Sequence, residues 1–485
     1  MTNWLIIGEV IYVIIVVLVC MKIIADTRSV TKTLAYVLFA IFVPIIGILF
    51  YFFFGNNYWN TRIYSKRIFE SVELTDNLQD KIYFYSNKTL KENSDAIKEN
   101  KELAMLLLKD IGSPLTTHNS VKILVNGEEK FPEVIKVLRE AKHHIHMEYY
   151  IYEDDETGRE IERILIEKAA EGVEVRFIYD DFGSRSIRKT IARRLREGNV
   201  KAFPFFEISY IAFANRINYR NHRKIIVVDG RTAFVGGINI SDRYINTEKQ
   251  QKLFWRDTHL RIDGPGVQYL QYLFVGDWNF CANKKLQPTA ELFPPMSAYS
   301  KVDNKIVQIA AGGPDSESPT ILYSTLQAIN LATKEILITT PYFIPGDSLM
   351  DALSMAAMSG IKVKLLVPGI SDSKIVNAAS RAYYGDLLRV GVEIYLYNKG
   401  FVHAKTLVAD SKIAIVGTAN MDIRSFDLNF EVNALVYDTE IASQLSDIFY
   451  KDLQDSEQID PVAWKARKWY KSLWEKCVRL LSPMM

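Results

Sequence analysis

Two stretches, NYRNHRKIIVVDG and FVHAKTLVADSKIAIVGTAN, carry one pattern, H-x-K-x4-D, with histidines 181 residues apart (222 to 403). Both copies run on to G-x-x-N, and His to Asn spans 17 residues each time, 222 to 239 and 403 to 420. The surrounding segments recur in the same order. PEVIKVLREAKHHIHMEYYIYEDD and ILYSTLQAINLATKEILITTPYFIPGD each suggest helix then strand, and another helix–turn–strand unit follows each. A chain built this way holds two domain-sized copies of one topology. Strands alternating with helices argue for an α/β fold, with mostly parallel sheets covered by helices.

The remainder of the 485 residues places those copies at a membrane. WLIIGEVIYVIIVVLVCM and LAYVLFAIFVPIIGILFYFFFG are apolar runs of roughly the ~20 residues that a spanning helix needs. The first lacks the basic start and small-residue cleavage site of a signal peptide, so a transmembrane helical hairpin is expected. Positive charge is balanced around it, with Lys22, Arg28 and Lys32 against Arg62, Lys66 and Arg67, and does not orient it. The expected divisions are 1–55, two transmembrane helices; 56–110, a helical linker; 111–298 and 299–455, the two copies; and 456–485, an amphipathic tail. In that tail Val462, Ala466, Trp469, Leu473, Cys477 and Leu480 recur at helical steps among lysines and arginines. Such a stripe suits a surface rich in anionic lipid, or packing against the protein itself. The aromatic stretch 205–219, FFEISYIAFANRINY, is either a core strand or a lip that meets acyl chains.

A formal net charge of +2 offers no global basic field, which argues against nucleic acid as a partner. Three scattered cysteines suggest neither disulfides nor a zinc site. Along a strand, residues i and i+2 share a face, so His222 pairs with Lys224 and His403 with Lys405. Asp229 and Asp410 fall on the other parity; Asp229 lies in a D-G turn signal, so turn chemistry competes there with catalysis. Returning strands bring Asn239 and Asn420 back toward the histidines.

Two histidines, two lysines and two amides around one gap suit a phosphodiester. Cations and amides would hold its oxygens and stabilise transition-state charge. A neutral imidazole would attack phosphorus while a protonated one gives its proton to the leaving alcohol. A carboxylate behind each ring would fix its tautomer, and Asp257 and Glu431 are the candidates. Thr418, where the first copy has Gly237, is a further phosphate donor or a packing residue. A lysine on the histidine's face repels a metal ion, and no ligand spacing appears, so no metal or other cofactor is expected.

The duplicated motif resembles the signature of the phospholipase D superfamily. From the apolar N-terminus through HIHMEYYIYEDDETG, YDDFGS, FWRDTHL, TPYFIPGD and SFDLNFE, the chain is similar to the bacterial cardiolipin synthases of that superfamily. The resemblance implies two tandem α/β/α lobes with mixed sheets and a shared active site, behind the transmembrane hairpin. It implies a cofactor-free transfer through a phosphatidyl-histidine, from one phosphatidylglycerol to another, giving cardiolipin and glycerol. Catalysis would fall to His222, Lys224, Asp229, His403, Lys405 and Asp410, with Asn239, Asn420 and Thr418 binding substrate and Asp257 and Glu431 orienting the rings. His222 would be the nucleophile, an assignment that two such similar copies do not themselves decide. The catalytic part would face the cytoplasm, and one chain holding both copies needs no oligomer. Release of phosphatidic acid by water, cleavage of another diester, and a non-enzymatic scaffold remain alternatives.

Overall fold

The computed structural model describes residues 2–27, 30–54, 83–91, 95–207, 219–246, 253–282, 284–299 and 303–482. Residues 208–218, most of the aromatic stretch expected as core strand or lip, lie outside them. The chain divides into two units, residues 1–66 with 207–219, and the rest.

In the first unit, α1 (Thr2–Asp26) is apolar and about 38 Å long, enough to cross a bilayer. The second run differs from the expected single span. It forms two short helices, α2 (Val30–Phe42) and α3 (Pro44–Phe54), which fold back on each other. Tyr36 meets Tyr51 at 5.6 Å between ring centroids, and Phe39 meets Phe50 at 5.3 Å. One continuous helix would set residues fifteen apart about 22 Å from each other. Pro44 supplies the break, because its ring disfavours helical geometry at Val43. Gly47 permits the close return, since a Cβ there would come within 2.2 Å of the Phe39 carbonyl oxygen. Neither short helix alone reaches across ~30 Å of hydrocarbon.

In the second unit the duplication is visible as topology. The first copy supplies β1 (Thr116–Val125), β2 (His144–Tyr149), β3 (Glu174–Asp180), β4 (Lys201–Phe205), β5 (Lys224–Val228), β6 (Thr232–Gly236) and β7 (Thr258–Asp263). The second supplies β8 (Lys305–Gly312), β9 (Glu335–Thr339), β10 (Lys362–Pro368), β11 (Glu393–Tyr397), β12 (Thr406–Ala409), β13 (Ile413–Gly417) and β14 (Asn429–Tyr437), with β15 (Ser456–Gln458) at the edge. The main path of one 16-stranded sheet runs β15-β11-β10-β9-β12-β13-β14-β8-β1-β7-β6-β5-β2-β3-β4. Read outward from the antiparallel β8–β1 joint, both halves show the same order. β2, β3 and β4 are parallel, as are β9, β10 and β11, while the motif strands β5 and β12 are antiparallel to β2 and β9. The sheet is therefore mixed, and it is one sheet rather than two.

Helices α4 (Lys101–Ile111), α5 (Asn126–Glu140), α6 (Glu156–Ala170), α7 (Ile191–Glu197), α8 (Val267–Cys281), α9 (Thr320–Leu331), α10 (Asp347–Met358), α11 (Lys374–Arg389) and α12 (Thr439–Gln454) cover it. In the tail, α13 (Pro461–Lys465) and α14 (Trp469–Arg479) dock on α11 through Trp464, Glu475 and Val478. Glu475 is held by Arg467 at 2.9 Å and Arg381 at 3.2 Å. The stripe expected from the sequence points outward instead: Val462, Trp469, Leu473, Cys477 and Leu480 are exposed.

Asp229 and Asp410, expected among the catalytic groups, stand at the turns instead. Each lies seven positions past its histidine, at the far end of a strand of five residues (β5) or four (β12), at most about 23 Å along the chain. Both adopt left-handed backbone, φ 52° and 54°. The Asp229 carboxylate accepts the backbone N–H groups of Lys142, His143 and His144. That of Asp410 accepts those of Thr333, Lys334 and Glu335. Burial alone would raise the Asp410 pKa, but these donors outweigh it and hold the carboxylate below its ordinary range. Each aspartate thus pins the motif hairpin to the loop entering the neighbouring antiparallel strand, β2 or β9. Replacing either by alanine should lower the unfolding free energy by about 2 kcal/mol, the worth of hydrogen bonds to a charged group. Turnover per folded molecule should stay unchanged. Thermal melting and specific activity check this; lost turnover at unchanged melting would return the aspartate to catalysis.

Candidate active site

The two motif strands deliver their histidines to one place because each half reaches into the other. Arg220–Asn221, just before His222, pairs in parallel with Asn429–Phe430 of the second half. Gly400–Val402, just before His403, pairs in parallel with Phe254–Arg256 of the first. The His222 backbone N–H donates to the Phe430 carbonyl at 3.0 Å, and that of His403 to the Arg256 carbonyl at 2.7 Å.

The side chains follow. His222 Nδ1 lies 2.9 Å from Glu431 Oε1, and His403 Nδ1 lies 2.7 Å from Asp257 Oδ2. Each imidazole is therefore backed by the carboxylate of the opposite half. An ionised carboxylate only accepts, so Nδ1 carries the hydrogen and Nε2 keeps its lone pair. The two acids are seated differently. A Cβ at Gly237 would fall 2.1 Å from Asp257, so glycine lets the shorter acid pack directly against the strand. In the second half the Thr418 hydroxyl donates to Glu431 at 2.5 Å and braces the longer side chain. That corrects the expectation that Thr418 binds phosphate.

Lys224 and Lys405 sit on the histidines' face and are buried, their ammonium groups donating to the carbonyls of His222 (2.7 Å) and His403. The Asn239 amide is taken up locally: its Oδ1 accepts from Ile151 N at 3.2 Å, and its Nδ2 donates to the Tyr244 hydroxyl at 2.9 Å. Asn420 donates to Asp422 at 3.0 Å. Both amides are thus anchored to the protein, while Asn420 Oδ1 is buried with no hydrogen-bond partner among the described residues.

Aromatic groups that the sequence reading passed over form those walls. Tyr150 stands edge-on to His222 at 4.9 Å, with Lys224 Nζ 5.4 Å from its ring. Around His403 are Trp255 at 5.5 Å, Phe401 at 5.7 Å and Tyr244 at 6.0 Å. Trp255 and Phe401 each stand two residues before a site group, Asp257 and His403, on the same strand face, which was the available signal.

Burial dominates the electrostatics. It pushes His222 down to about 4, against the pull of Glu431, and His403 to about 3, with the neighbouring Lys405 charge adding to the fall. It also lowers Lys224 to about 7 and Lys405 to about 8. Glu431, which burial alone would raise, is held low by His222 and Lys224. The site thus presents neutral imidazoles and lysines close to losing their protons, an arrangement that a bound anion would complement. Among the described residues no cluster of three or more His, Cys, Asp or Glu could hold a metal ion.

Fold and site together define a two-half phosphodiester-processing enzyme of the phospholipase D type. The chain belongs to the cardiolipin synthase family of that superfamily. The family described as “Cardiolipin synthase, PLD-like domain” matches residues 134–278 and 325–453, and “Phospholipase_D-nuclease N-terminal” matches residues 10–56. “Cardiolipin synthase” of Listeria monocytogenes is 38% identical over 461 residues, 95% of each chain. “Cardiolipin synthase 2” of Bacillus anthracis is 40% identical over 467 residues, 95% of this chain and 88% of that one. The crystal structure of phosphatidylserine synthase from Haemophilus influenzae shares the fold, with a TM-score of 0.58 at 15% identity over 79% of this chain and 98% of that one.

The lysine shifts set a pH dependence. Lys224 is cationic below about 7 and Lys405 below about 8, so alkali strips charge from the site. An anion bound between them favours the charged forms and raises both values. With phosphatidylglycerol vesicles, kcat/KM should therefore fall through the mildly alkaline range while kcat holds to higher pH. A kcat/KM that stays flat there would show that neither lysine meets the substrate's charge.

Proposed function

We propose that this chain synthesises cardiolipin by transferring a phosphatidyl group between two phosphatidylglycerol molecules through His222. The observation that carries the reading is the pair of imidazoles, each backed by the other half's carboxylate, flanking two buried lysines. His222 Nε2 attacks phosphorus; a P–N bond forms and the P–O bond to the departing glycerol breaks. His403, protonated once the bound diester has supplied negative charge, gives its Nε2 proton to that oxygen. The same nitrogen then takes the proton from the terminal hydroxyl of a second phosphatidylglycerol. That oxygen attacks phosphorus, the P–N bond breaks, and cardiolipin leaves. Lys224 and Lys405 stabilise the charge on the non-bridging oxygens in both steps. The aromatic wall around His403 favours a lipid alcohol over water as acceptor.

Family membership and α1 support a membrane-bound enzyme. We infer that the N-terminal unit anchors it, as one or two spans, with the catalytic unit on the cytoplasmic side. An impermeant maleimide should then modify Cys477, exposed on α14, in inverted vesicles and not in intact cells. The outward stripe on α13 and α14 lies among Lys465, Lys468, Lys471, Lys476 and Arg479, which suits a bilayer rich in anionic lipid, the phase that also holds the substrate.

Lipid mass spectrometry on the purified chain in phosphatidylglycerol vesicles tests the activity. Cardiolipin and free glycerol should form, and should be absent with His222→Ala and with His403→Ala. Phosphatidic acid without cardiolipin would make the protein a hydrolase.

A further inference from the structure

Behind His222 lies a buried polar cluster that none of these steps uses, and the duplication does not repeat it. The first motif strand reads Asn221-His222-Arg223-Lys224, the second Val402-His403-Ala404-Lys405. Asn221 and Arg223 both turn toward two fully buried acids, Glu148 on β2 and Asp277 on α8. Arg223 Nη1 meets Asp277 Oδ2 at 2.6 Å, and the Asn221 amide donates to Glu148 Oε1. Asn221 Oδ1 accepts from Arg223 N at 3.1 Å, so the two flanks of His222 also brace each other. Arg223 Nε reaches the backbone carbonyl of Glu431 at 3.4 Å, the residue whose carboxylate orients His222.

Charge and hydrogen bonding constrain this cluster further. Glu148 Oε2 is buried and has no donor facing it. The Glu148 and Asp277 carboxyls lie within hydrogen-bonding reach of each other. Two ionised carboxylates repel and cannot hydrogen bond, whereas one proton between them makes Oε2 a donor and leaves the pair a single negative charge opposite Arg223, which also faces the partly buried Asp315 carboxyl. Burial first, then the neighbouring Asp277 charge, raises the Glu148 pKa well above its ordinary value, in the same sense.

We propose that Glu148 and Asp277 share one proton and, through Asn221 and Arg223, hold His222 and the Glu431 backbone in register for attack. The pair is a positioning device that touches no substrate. It is built around one histidine only, which is the one that must keep its place while carrying a covalent group. That last point rests on the function proposed above; the positioning does not.

Amide replacements count the charge. Glu148→Gln and Asp277→Asn each leave one carboxylate for Arg223, so cardiolipin formation by the full-length protein should keep kcat within about fivefold. The double variant leaves the guanidinium buried without a carboxylate in the pair, and kcat should fall by at least about thirtyfold, with KM for phosphatidylglycerol unchanged within about twofold. Either single variant as damaged as the double would mean that both acids are ionised. A double variant as active as the singles would mean that the pair positions nothing. If the double variant does not fold, Glu148→Ala carries the test. It keeps the Asp277–Arg223 pair and removes the acceptor for Asn221 together with the partner that shares Asp277's proton; kcat should fall about tenfold at unchanged KM, and wild-type kcat would overturn the proposal. Wild-type turnover in the same assay separates the outcomes: without it the transferase reading fails, whereas with it a null variant result removes only the positioning role.

Discussion

Two imidazole–carboxylate hydrogen bonds cross between the halves of this chain, His222 to Glu431 and His403 to Asp257, and together they give both rings an orienting acid. The crossing is prepared by the backbone. Each histidine donates its N–H to the carbonyl of the residue just before the acid that backs its own ring. Those contacts require the halves to stand at a fixed distance, which the continuous sheet across β8 and β1 supplies. Separated halves would each keep a histidine and a lysine and lose the partner acid. Duplication within one chain thus has a chemical consequence: neither copy holds a finished catalytic dyad.

The second constraint is charge. Four basic side chains and two acids are taken out of water together; desolvation lowers all four basic groups, while His222 and Lys224 hold Glu431 down against it. Bringing in a phosphodiester supplies negative charge and draws protons back to the lysines and to one imidazole. Substrate binding and acid–base readiness are therefore one electrostatic event. On the proposed mechanism the asymmetry around the histidines has a reason too, since a nucleophile at His222 would need rigidity and a proton carrier at His403 a wall against water.

Much of this was legible in the sequence, for reasons that can be named. Strand parity put each lysine beside its histidine, and the matched intervals implied two copies of one topology, which the strand order repeats. Asp257 and Glu431 stood out as acids, but nothing along a chain tells which half's acid reaches which ring. Asp229 and Asp410 recur with the motif because they pin its hairpins, whereas Thr418, which has no counterpart in the first copy, braces Glu431; a place in the motif alone does not separate scaffold from chemistry. Pro44 was in plain view, yet an apolar run conceals a fold-back that depends on Gly47 allowing two helices to touch. The Glu148–Asp277 pair was invisible because its members lie far apart in the chain and meet only when α8 covers β2.

The central claim is that His222 carries the phosphatidyl group while His403 moves the proton. Quenching the full-length protein in mildly alkaline denaturant, which preserves the acid-labile P–N bond, during turnover of phosphatidylglycerol labelled in its phosphatidyl group, then sequencing the labelled peptide by mass spectrometry, reads this directly. The account predicts label on the peptide containing His222, little in His403→Ala, which lacks the acid for the leaving glycerol, and none in His222→Ala. Label on His403 with His222 unmodified would contradict the assignment, and the cluster around His222 would then need another explanation.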